Sequence, residues 1–400
     1  MKEDSDDSGK FVADQSSPPK ALAQGDSLPD RGEGGVVRVG LDAMGGDNAP
    51  QAIVEGALLA IKAIDDMEVI LVGDEETIQA ELEKHQFESP MLSICHAAQA
   101  IGMEESPSQA LRKKKNSSIH VGVKLVKDKK VDAFISAGNT GAVMAVATVV
   151  LRTLEGIDRA AIAVPLPTKK RHAVIIDGGA NVSCKAIHLY QFGVMGAMYA
   201  EYFLDDKRPK VGLLSIGEED SKGNEVTKET FELLTRSSLN FVGNTEAKQL
   251  YRGIADVIVC DGFTGNIAIK TSESLVEMIV WHLKKMFTGS FRGRLAYMLL
   301  RPLFEEFKKR LDHSEIGGAP LLGIDGAVFI SHGSSTSKSI LNALVGAKKF
   351  IVNDVNRHIR ESVAANKEIL GPDKLPEDEG LWGQVKRKIG IVGPANEERK

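Results

Sequence analysis

The sequence is poor in cysteine. Its 400 residues include only three, Cys95, Cys184 and Cys260, and none of them has the close paired spacing of a zinc knuckle or of a disulfide framework. Unpaired cysteines are typical of a reducing compartment. The sequence therefore predicts a cytoplasmic protein without structural disulfides.

Long hydrophobic runs are missing as well. The most apolar stretch, AVMAVATVVL at residues 142–151, is shorter than the roughly 20 residues that a membrane-spanning helix needs. The first ten residues, MKEDSDDSGK, lack the apolar core of a secretory signal peptide. We therefore expect neither a transmembrane segment nor a secretory signal.

Several familiar functional signals are also absent. A formal net charge of −5 argues against a dedicated nucleic-acid binder, so no nucleic-acid partner is expected. The chain contains no G-x-G-x-x-G, no G-x-x-x-x-G-K-[ST] and no G-x-S-x-G. Dinucleotide sites, P-loops and hydrolase nucleophile elbows are thus unsupported. With 42% hydrophobic and 26% charged residues, the composition is that of a soluble globular protein.

The two ends of the chain differ in composition from its middle. Residues 1–35 are rich in Asp, Ser, Gly and Pro, which predicts a disordered leader. Residues 365–400 are charged and punctuated by Pro and Gly, which predicts a loosely attached tail. The folded region is expected at residues 36–364.

Within that region, short β-branched runs close on glycine and helical patterns follow them. Examples of the runs are VRVGLDA, DAFISAGNTGA, HAVIIDGGAN and DVIVCDGFTGN, and AVMAVATVVLRTL is one of the helical patterns. Strands that alternate with helices predict an α/β fold with a largely parallel sheet and helices on both faces. Ligands of such sheets bind outside the carboxyl ends of the strands, so we expect the Gly-rich loops to converge on one site.

The stretch LDAMGGDNAP, residues 41–50, poses an electrostatic conflict. Gly45 and Gly46 permit a tight turn, and Pro50 suits the first position of a helix, so the stretch predicts an anion-binding helix N-terminus. Asp42 and Asp47 would repel an anion unless a cation or a proton intervenes. They could hold a divalent ion, or they could cap the helix and orient lysines. We favour the structural role, with no obligatory metal.

The other loops offer amides and hydroxyls rather than charge. Such groups donate hydrogen bonds to phosphate oxygens or to a developing oxyanion. Each of them alone could simply cap a helix, but their number favours a binding site. These side chains belong to Ser136, Asn139, Thr140, Asn181, Thr264, Asn266, His332, Ser334 and Ser335.

Seven motifs together resemble one known family. LDAMGGDNAP, RKKKNSS, SAGNTGA, GANV, GEEDSKGNE, CDGFTGN and SHGSS, in this order, are similar to motifs of the bacterial acyl-ACP:phosphate acyltransferases of phospholipid synthesis, where ACP is acyl carrier protein. The resemblance covers about residues 36–364. It implies an enzyme that reversibly forms acyl phosphate from acyl-ACP and orthophosphate, without a cofactor, for a membrane glycerol-3-phosphate acyltransferase.

The resemblance also implies a fold and an assembly. The fold would be a three-layer α/β/α sandwich, similar to that of the isocitrate and isopropylmalate dehydrogenases and of phosphate acetyltransferase, with a protruding amphipathic helical segment. The protein would be a homodimer that associates peripherally with an anionic membrane surface.

The implied reaction needs no enzyme nucleophile, because phosphate itself attacks the thioester. The catalytic candidates are Asn139, Thr140, Asn181 and Lys185. Phosphate and acyl-substrate binding is assigned to Asp42, Gly45, Gly46, Asp47, Ser136, Gly138, Gly141, Gly179, His188, Glu218, Thr264, Gly265, Asn266 and His332. Lys185 and His188 are the candidates for positive charge near the phosphate or the leaving sulfur, the alternative being a solvated lysine and a surface histidine.

Two surface features have a use in such an enzyme. The basic run Arg112, Lys113, Lys114 and Lys115 could dock the acidic carrier protein, although a charge run is usually only a solvated face. An amphipathic helical segment is expected at residues 280–312, and residues 291–311 within it predict a basic amphipathic helix, or a helical pair bent at Pro302. Such a segment suits an anionic membrane or a dimer interface. Its expected membrane contacts are Leu295, Met298, Leu299 and Leu303.

Two competing functions come from other classes. Oxidative decarboxylation, as in dehydrogenases of similar fold, would need an acidic metal-binding triad and a nicotinamide site, and the sequence shows neither. A non-catalytic regulator that binds lipid or carrier protein would need only the amphipathic segment.

Overall fold

The structure, a computed structural model, describes residues 21–22, 35–311 and 318–366. The predicted leader and the predicted tail lie almost entirely outside these residues, and both stay predictions. The described residues form two compact units, which divide the chain at Val146/Ala147, Phe329/Ile330 and Lys348/Lys349. The first unit contains the N-terminal part and Ile330–Lys348, and the second contains the rest.

The elements alternate between strands and helices along most of the chain. The strands are β1 (Ala21–Leu22), β2 (Val37–Asp42), β3 (Met67–Gly73), β4 (Leu92–His96), β5 (Ala133–Ser136), β6 (Ala161–Pro167), β7 (His172–Ile176), β8 (Lys210–Ser215), β9 (Asn240–Glu246), β10 (Val257–Val259), β11 (Ala319–Leu322) and β12 (Ala327–Ile330). The helices are α1 (Gln51–Ala63), α2 (Glu75–Glu83), α3 (Pro107–Lys113), α4 (Ser118–Lys127), α5 (Thr140–Leu151), α6 (Ala186–Phe203), α7 (Glu225–Thr235), α8 (Gly262–Thr288), α9 (Phe291–Leu311), α10 (Ser337–Val352) and α11 (Val355–Ala365).

The first unit has a parallel sheet in the order β1-β4-β3-β2-β5. Its central strands are rich in valine, isoleucine and leucine and are buried almost throughout, as expected when helices cover a parallel sheet. Because all these strands run the same way, the loops after β2 and β5 leave the sheet at the same edge. The helix α1 begins at Gln51, so Pro50 stands at the N-cap and not at the predicted first helical position.

The second unit has a mixed sheet. The strands β7, β10, β8 and β9 are parallel neighbours in that order, whereas β6 runs antiparallel to both β7 and β11. Between β6 and β7 the chain turns in only four residues, 168–171, and a connection this short joins only antiparallel strands. The predicted α/β fold is therefore confirmed, while the sheet is mixed at β6.

Residues 291–311 had two predicted forms, and the structure has one helix there, α9, with Pro302 inside it, while residues 280–288 are the end of α8. Aromatic side chains join it to α8, since the ring of Phe287 lies 4.9 Å from that of Phe304 and 6.1 Å from that of Tyr297. Of the helices described here, none combines the length and the apolarity that crossing a bilayer requires.

Candidate active site

In the first unit, the carboxylate of Asp42 points into the protein. Asp42 ends β2, is 1% exposed, and accepts hydrogen bonds from the Ser136 hydroxyl at 2.7 Å and from the Met44 N–H at 3.1 Å. The Ser136 hydroxyl accepts in turn from the Gly138 N–H at 3.0 Å. Burial raises the pKa of Asp42, and hydrogen bonds from Ser136 and Ser118 oppose that shift. In this position Asp42 ties the loops after β2 and β5 together, so it does not face an anion.

Close packing against Asp42 requires a glycine at position 45. A Cβ atom on Gly45 would lie 2.6 Å from Asp42 Oδ2 and 2.7 Å from the backbone nitrogen of Gly138. A third loop joins them, because the Asp47 N–H donates to the carbonyl of Gly333 at 2.8 Å. Three strand-end loops of the first unit thus meet, as the parallel strands predict.

Asn139 is held by the protein on all sides. Its Oδ1 accepts from the Ala142 N–H at 3.0 Å, and its Nδ2 donates to the carbonyls of Met103 and Glu105 at 2.9 Å each. Asn139 therefore caps α5 and anchors residues 102–105. Thr140 next to it is exposed and opens the helix, where the first N–H groups have no acceptor within the helix.

The loop after β12 carries exposed polar groups. His332 is exposed, and its Nδ1 lies 2.8 Å from the hydroxyl of Ser334. The amide of Asn48 donates to the carbonyl of Ser335 at 3.2 Å and so holds this loop against the one after β2. The side chains of His332 and Ser334, which are bonded to each other, are both exposed to solvent.

The second unit is organised by Asp177, a residue that sequence reasoning missed. Asp177 follows β7 and is fully buried. Its Oδ1 accepts from the N–H groups of Ile162, Gly179 and Ala180 at 2.9–3.1 Å, and its Oδ2 accepts from the N–H and the Nδ2 of Asn181 at 2.7 and 2.9 Å. Burial raises the pKa of Asp177, and these hydrogen bonds oppose the shift. Because both oxygens only accept, we treat the carboxylate as ionised at neutral pH.

The start of α8 packs directly on this loop. A Cβ atom on Gly265 would lie 1.9 Å from the carbonyl oxygen of Asp177, so only glycine fits there. Asp261 caps the helix by accepting from the Thr264 N–H at 2.9 Å and from its hydroxyl at 2.8 Å. In the motif CDGFTGN, Gly265 therefore packs against the loop of Asp177 and Asp261 caps α8. The side chain of Asn266, in the same first turns, is exposed to solvent.

Asn181 donates both amide protons inside the protein, to the carbonyl of Ala160 at 2.7 Å and to Asp177. Its side chain thus fixes the loop, and Lys185, four residues on, is exposed.

His188 differs from the predicted cationic group. It is buried, its Nδ1 accepts from the Lys185 N–H at 3.1 Å, and its Nε2 lies 3.9 Å from Asp158. Burial, followed by the charges of Arg159 and Lys185, lowers the pKa of His188 to about 4. The histidine is therefore neutral at pH 7, and the positive charge of this region belongs to Lys185 and Arg159.

Cys184 lies in the same loop but is unsuited to covalent catalysis. Burial, followed by the charges of Asp177 and Asp261, raises the pKa of its thiol to about 12. We expect Cys184→Ala to keep kcat within about twofold of the wild type, the scale of a substitution that removes no functional group. Steady-state turnover checks this, and a loss of 10²-fold or more would point to an acyl-cysteine intermediate.

The acidic candidate residues do not form a cluster in the described part of the chain. Glu218 is exposed in the loop after β8, where its carboxylate lies 3.4 Å from the ammonium of Lys248. Within residues 35–311 and 318–366, no three His, Cys, Asp or Glu side chains are grouped so that they could hold a metal ion.

The predicted residues thus fall into two sets, one in each unit. The loops of the first unit carry Asp42, Gly45, Gly46, Asp47, Ser136, Gly138, Asn139, Thr140, Gly141 and His332. The loops and helix starts of the second carry Gly179, Asn181, Lys185, His188, Glu218, Thr264, Gly265 and Asn266. A signal for Asp177 existed, because IIDGG repeats the strand, aspartate and glycine order of GLDAMGG.

Comparisons with known proteins identify the family. A family model described as "Fatty acid synthesis protein" matches residues 37–358. A phosphate acyltransferase of Syntrophotalea carbinolica is 45% identical over 335 residues, which cover 84% of this chain and 96% of the relative. Another, of Geobacter sp. (strain M21), is 47% identical over 327 residues, covering 82% of this chain and 93% of the relative.

Solved structures agree on the fold. A phosphotransacetylase from Streptococcus pyogenes has a TM-score of 0.55 at 19% identity, and the EutD phosphotransacetylase from Staphylococcus aureus has 0.52 at 17%. Each match covers 78% of this chain and 94% of the other. At this identity the likeness concerns the fold alone. On the strength of the family match and of relatives 45–47% identical along most of its length, the chain belongs to the phosphate acyltransferase family.

Proposed function

We propose that the protein reversibly forms acyl phosphate from acyl-ACP and orthophosphate, and that the product serves glycerol-3-phosphate acylation at the membrane. The observation that carries the proposal is the 45% identity to a phosphate acyltransferase over 84% of the chain. The exposed hydroxyl and amide groups of the strand-end loops, Thr140, Ser334 and Asn266, support it, since such donors suit a reaction whose nucleophile is itself an anion.

In the proposed reaction an oxygen of phosphate attacks the thioester carbonyl carbon. The carbonyl oxygen becomes an oxyanion, the C–S bond then breaks, and the thiolate of the carrier takes up a proton. The N–H groups of Thr140 and Gly141 and the Thr140 hydroxyl would bind phosphate oxygens. In the second unit, the exposed Lys185 is the cation that would stabilise negative charge on a bound substrate. Asn139, Asn181 and Asp42 would hold the loops in place.

Turnover with defined substrates tests this function. The protein is incubated with hexadecanoyl-ACP and ³²P-labelled orthophosphate, and both acyl phosphate and free carrier thiol are measured. Equal amounts of the two products are expected. Thiol release without labelled acyl phosphate would indicate a thioesterase, reduction of NAD would indicate a dehydrogenase, and binding without turnover would indicate a regulator.

Thr140 provides the sharpest test of the phosphate-binding groups proposed at the start of α5. We expect Thr140→Val to lower kcat/KM by about 10²-fold, the usual scale for losing a preorganised donor. Because Thr140 is exposed, the unfolding free energy should change by less than about 0.5 kcal/mol. Thr140→Ser, which keeps the hydroxyl, should restore most of the activity. Unchanged phosphate-dependent kinetics in Thr140→Val would place the phosphate elsewhere.

Asn139→Ala tests whether Asn139 caps α5 or acts in catalysis. If it is a cap, the variant should lower the free energy of unfolding by about 1 kcal/mol. A large loss of kcat with unchanged urea unfolding would instead support a catalytic role.

We also propose that the basic run docks the carrier protein. Arg112, Lys113 and Lys115 are exposed, whereas the Lys114 ammonium is bound to Glu105 and to the carbonyl of Ala100. The three exposed cations are therefore the ones available to an acidic partner.

Reversing two of these charges tests the docking. Lys113→Glu with Lys115→Glu should raise KM for acyl-ACP about tenfold and leave KM for phosphate nearly unchanged, with a smaller effect at high salt. Lys124→Glu with Lys127→Glu, at exposed positions on α4, makes the same charge change and should have little effect. Equal damage by both pairs would show a general charge effect instead of a docking site.

Location and assembly complete the proposal. We propose a cytoplasmic homodimer, built as a three-layer α/β/α sandwich, that attaches to anionic membranes through the helical hairpin of α8 and α9. Leu295, Met298, Leu299 and Leu303 support this attachment, since each is 48–70% exposed.

A further inference from the structure

We propose that four exposed apolar residues of the second unit, Val182, Ile216, Phe263 and Ile267, bind the alkyl chain of the acyl substrate. We call them the apolar rim. The inference rests on the proposed function, because it assumes that the substrate carries an acyl group. The inference adds where the alkyl chain binds and which residues set the preferred chain length.

The rim residues are unusually exposed for their type. Ile216 is 83% exposed, Val182 69%, Phe263 58% and Ile267 49%. Single exposed apolar residues need no explanation, but a contiguous set of large ones marks a binding surface. The question is whether these four lie together.

Strand register and one backbone hydrogen bond place three of them in loops that adjoin at one edge of the sheet. The strand β10 lies between β7 and β8, with Val259 opposite both Ile176 and Leu213. Ile216 and Gly262 are each three residues beyond that paired position, so they leave the same edge of the sheet on neighbouring strands. On the other side, the carbonyl of Asn181 accepts from the Gly262 N–H at 2.8 Å. Phe263 therefore follows a residue that is bonded to the loop of Val182, and its strand is the neighbour of the strand before Ile216.

The fourth residue extends the rim along a helix. Phe263 and Ile267 are four residues apart in α8, so their side chains share one face. The exposed Asn266 stands within the same turns, and the exposed Lys185 follows Val182 in the adjoining loop. The rim thus borders the polar groups that we assign to the reacting end of the substrate. An acyl thioester has the same division, a polar reacting group followed by an apolar chain.

The rim suits an alkyl chain better than a second protein copy. Exposed polar residues, Ser183, Thr264 and Asn266, interrupt it, and a flexible chain can pass between them where a flat protein surface would leave them buried and unpaired. Each methylene that leaves water strengthens binding about fourfold. A rim of this kind therefore selects longer chains over shorter ones.

The test compares donors that differ only in chain length. Initial rates are measured with the full-length protein, phosphate, and butanoyl-, octanoyl- or hexadecanoyl-ACP. For Ile216→Ala with Phe263→Ala, we expect the ratio of kcat/KM for hexadecanoyl to that for butanoyl to fall by about 10- to 100-fold. Val352→Ala and Ile254→Ala are the matched controls, since both residues are exposed in the same unit, 64% and 38%, and lie outside the rim. The controls should keep the wild-type ratio.

Binding of dodecyl phosphate and of butyl phosphate, measured by calorimetry, separates this inference from the proposed function. If the wild type makes no acyl phosphate but binds dodecyl phosphate more tightly than butyl phosphate, and the double variant loses that difference, the function fails and the rim stands. An unchanged chain-length ratio, or equal losses for all donors, would overturn the rim. A double variant that changes from dimer to monomer on sizing and loses all activity would show that a second copy covers these residues.

Discussion

Asp177→Asn is expected to lower the unfolding free energy by about 3–5 kcal/mol, the range for leaving buried groups without their charged partner. Five donors converge on the two oxygens of this carboxylate, three on Oδ1 and two on Oδ2. An asparagine places an NH₂ group against one of these sets, whichever way its amide is turned. Backbone N–H groups of the loop would then be buried opposite another donor.

Urea unfolding followed by circular dichroism measures this loss, and Asp261→Asn is the matched control. Asp261 is in the adjoining loop and caps α8, and asparagine is as good an N-cap as aspartate, so this variant should be within about 0.5 kcal/mol of the wild type. An Asp177→Asn protein that unfolds at the wild-type urea concentration would mean that the carboxyl group is protonated, and that the loop does not depend on its charge.

The first unit repeats the arrangement around Asp177. In each unit an aspartate at the end of a buried strand accepts hydrogen bonds from its own loop, and a glycine packs against that aspartate. Asp42 has Gly45 beside it, and Asp177 has Gly265. This explains why Asp42 and Asp177 stand beside loops that are expected to bind an anion, because both carboxylates are buried and accept hydrogen bonds inside the protein, whereas Asp47 is exposed. The ligand is left with N–H groups and hydroxyls on the outside.

The order of strands and helices could be predicted from the sequence because it depends on local patterns. Runs such as EVILVG and HAVII are rich in β-branched residues and end at glycine or aspartate, and both are strands. The strand β6 was not among the predicted runs, and its sequence AIAVPLP has the composition of a buried strand of either direction. The four-residue turn after it was the available signal.

The loops that carry the candidate residues could also be located from the sequence, but the contacts of each residue in them could not. Gly265 was assigned to ligand binding, yet its backbone is pressed against the carbonyl of Asp177, 88 positions earlier in the chain by their numbering. Asn139 was assigned to catalysis, yet its amide is engaged with residues 102–105. A motif shows which residue types lie near a site. The residue that each side chain contacts is often far away in the sequence, and only the fold brings the two together.

Leu299→Glu with Leu303→Glu should release the protein from anionic vesicles by several orders of magnitude in partition coefficient. The two residues are 70% and 62% exposed and lie four residues apart on α9, so they share a face of the hairpin. A leucine side chain that leaves water contributes roughly 1.5–3 kcal/mol, and two of them together account for a change of this size. Turnover of acyl-ACP in solution should persist, because the candidate active-site loops belong to other elements.

The alternative for these leucines is a dimer interface, and it predicts a different result. If α9 packs against a second copy, the same variant should become monomeric or aggregate, and it should lose activity together with vesicle binding. Val242→Glu with Val352→Glu, at residues that are 40% and 64% exposed away from the hairpin, controls for the added charge. Vesicle sedimentation is measured alongside sizing in solution. A dimeric double variant that still sediments fully with the vesicles would rule out membrane contact through these two leucines.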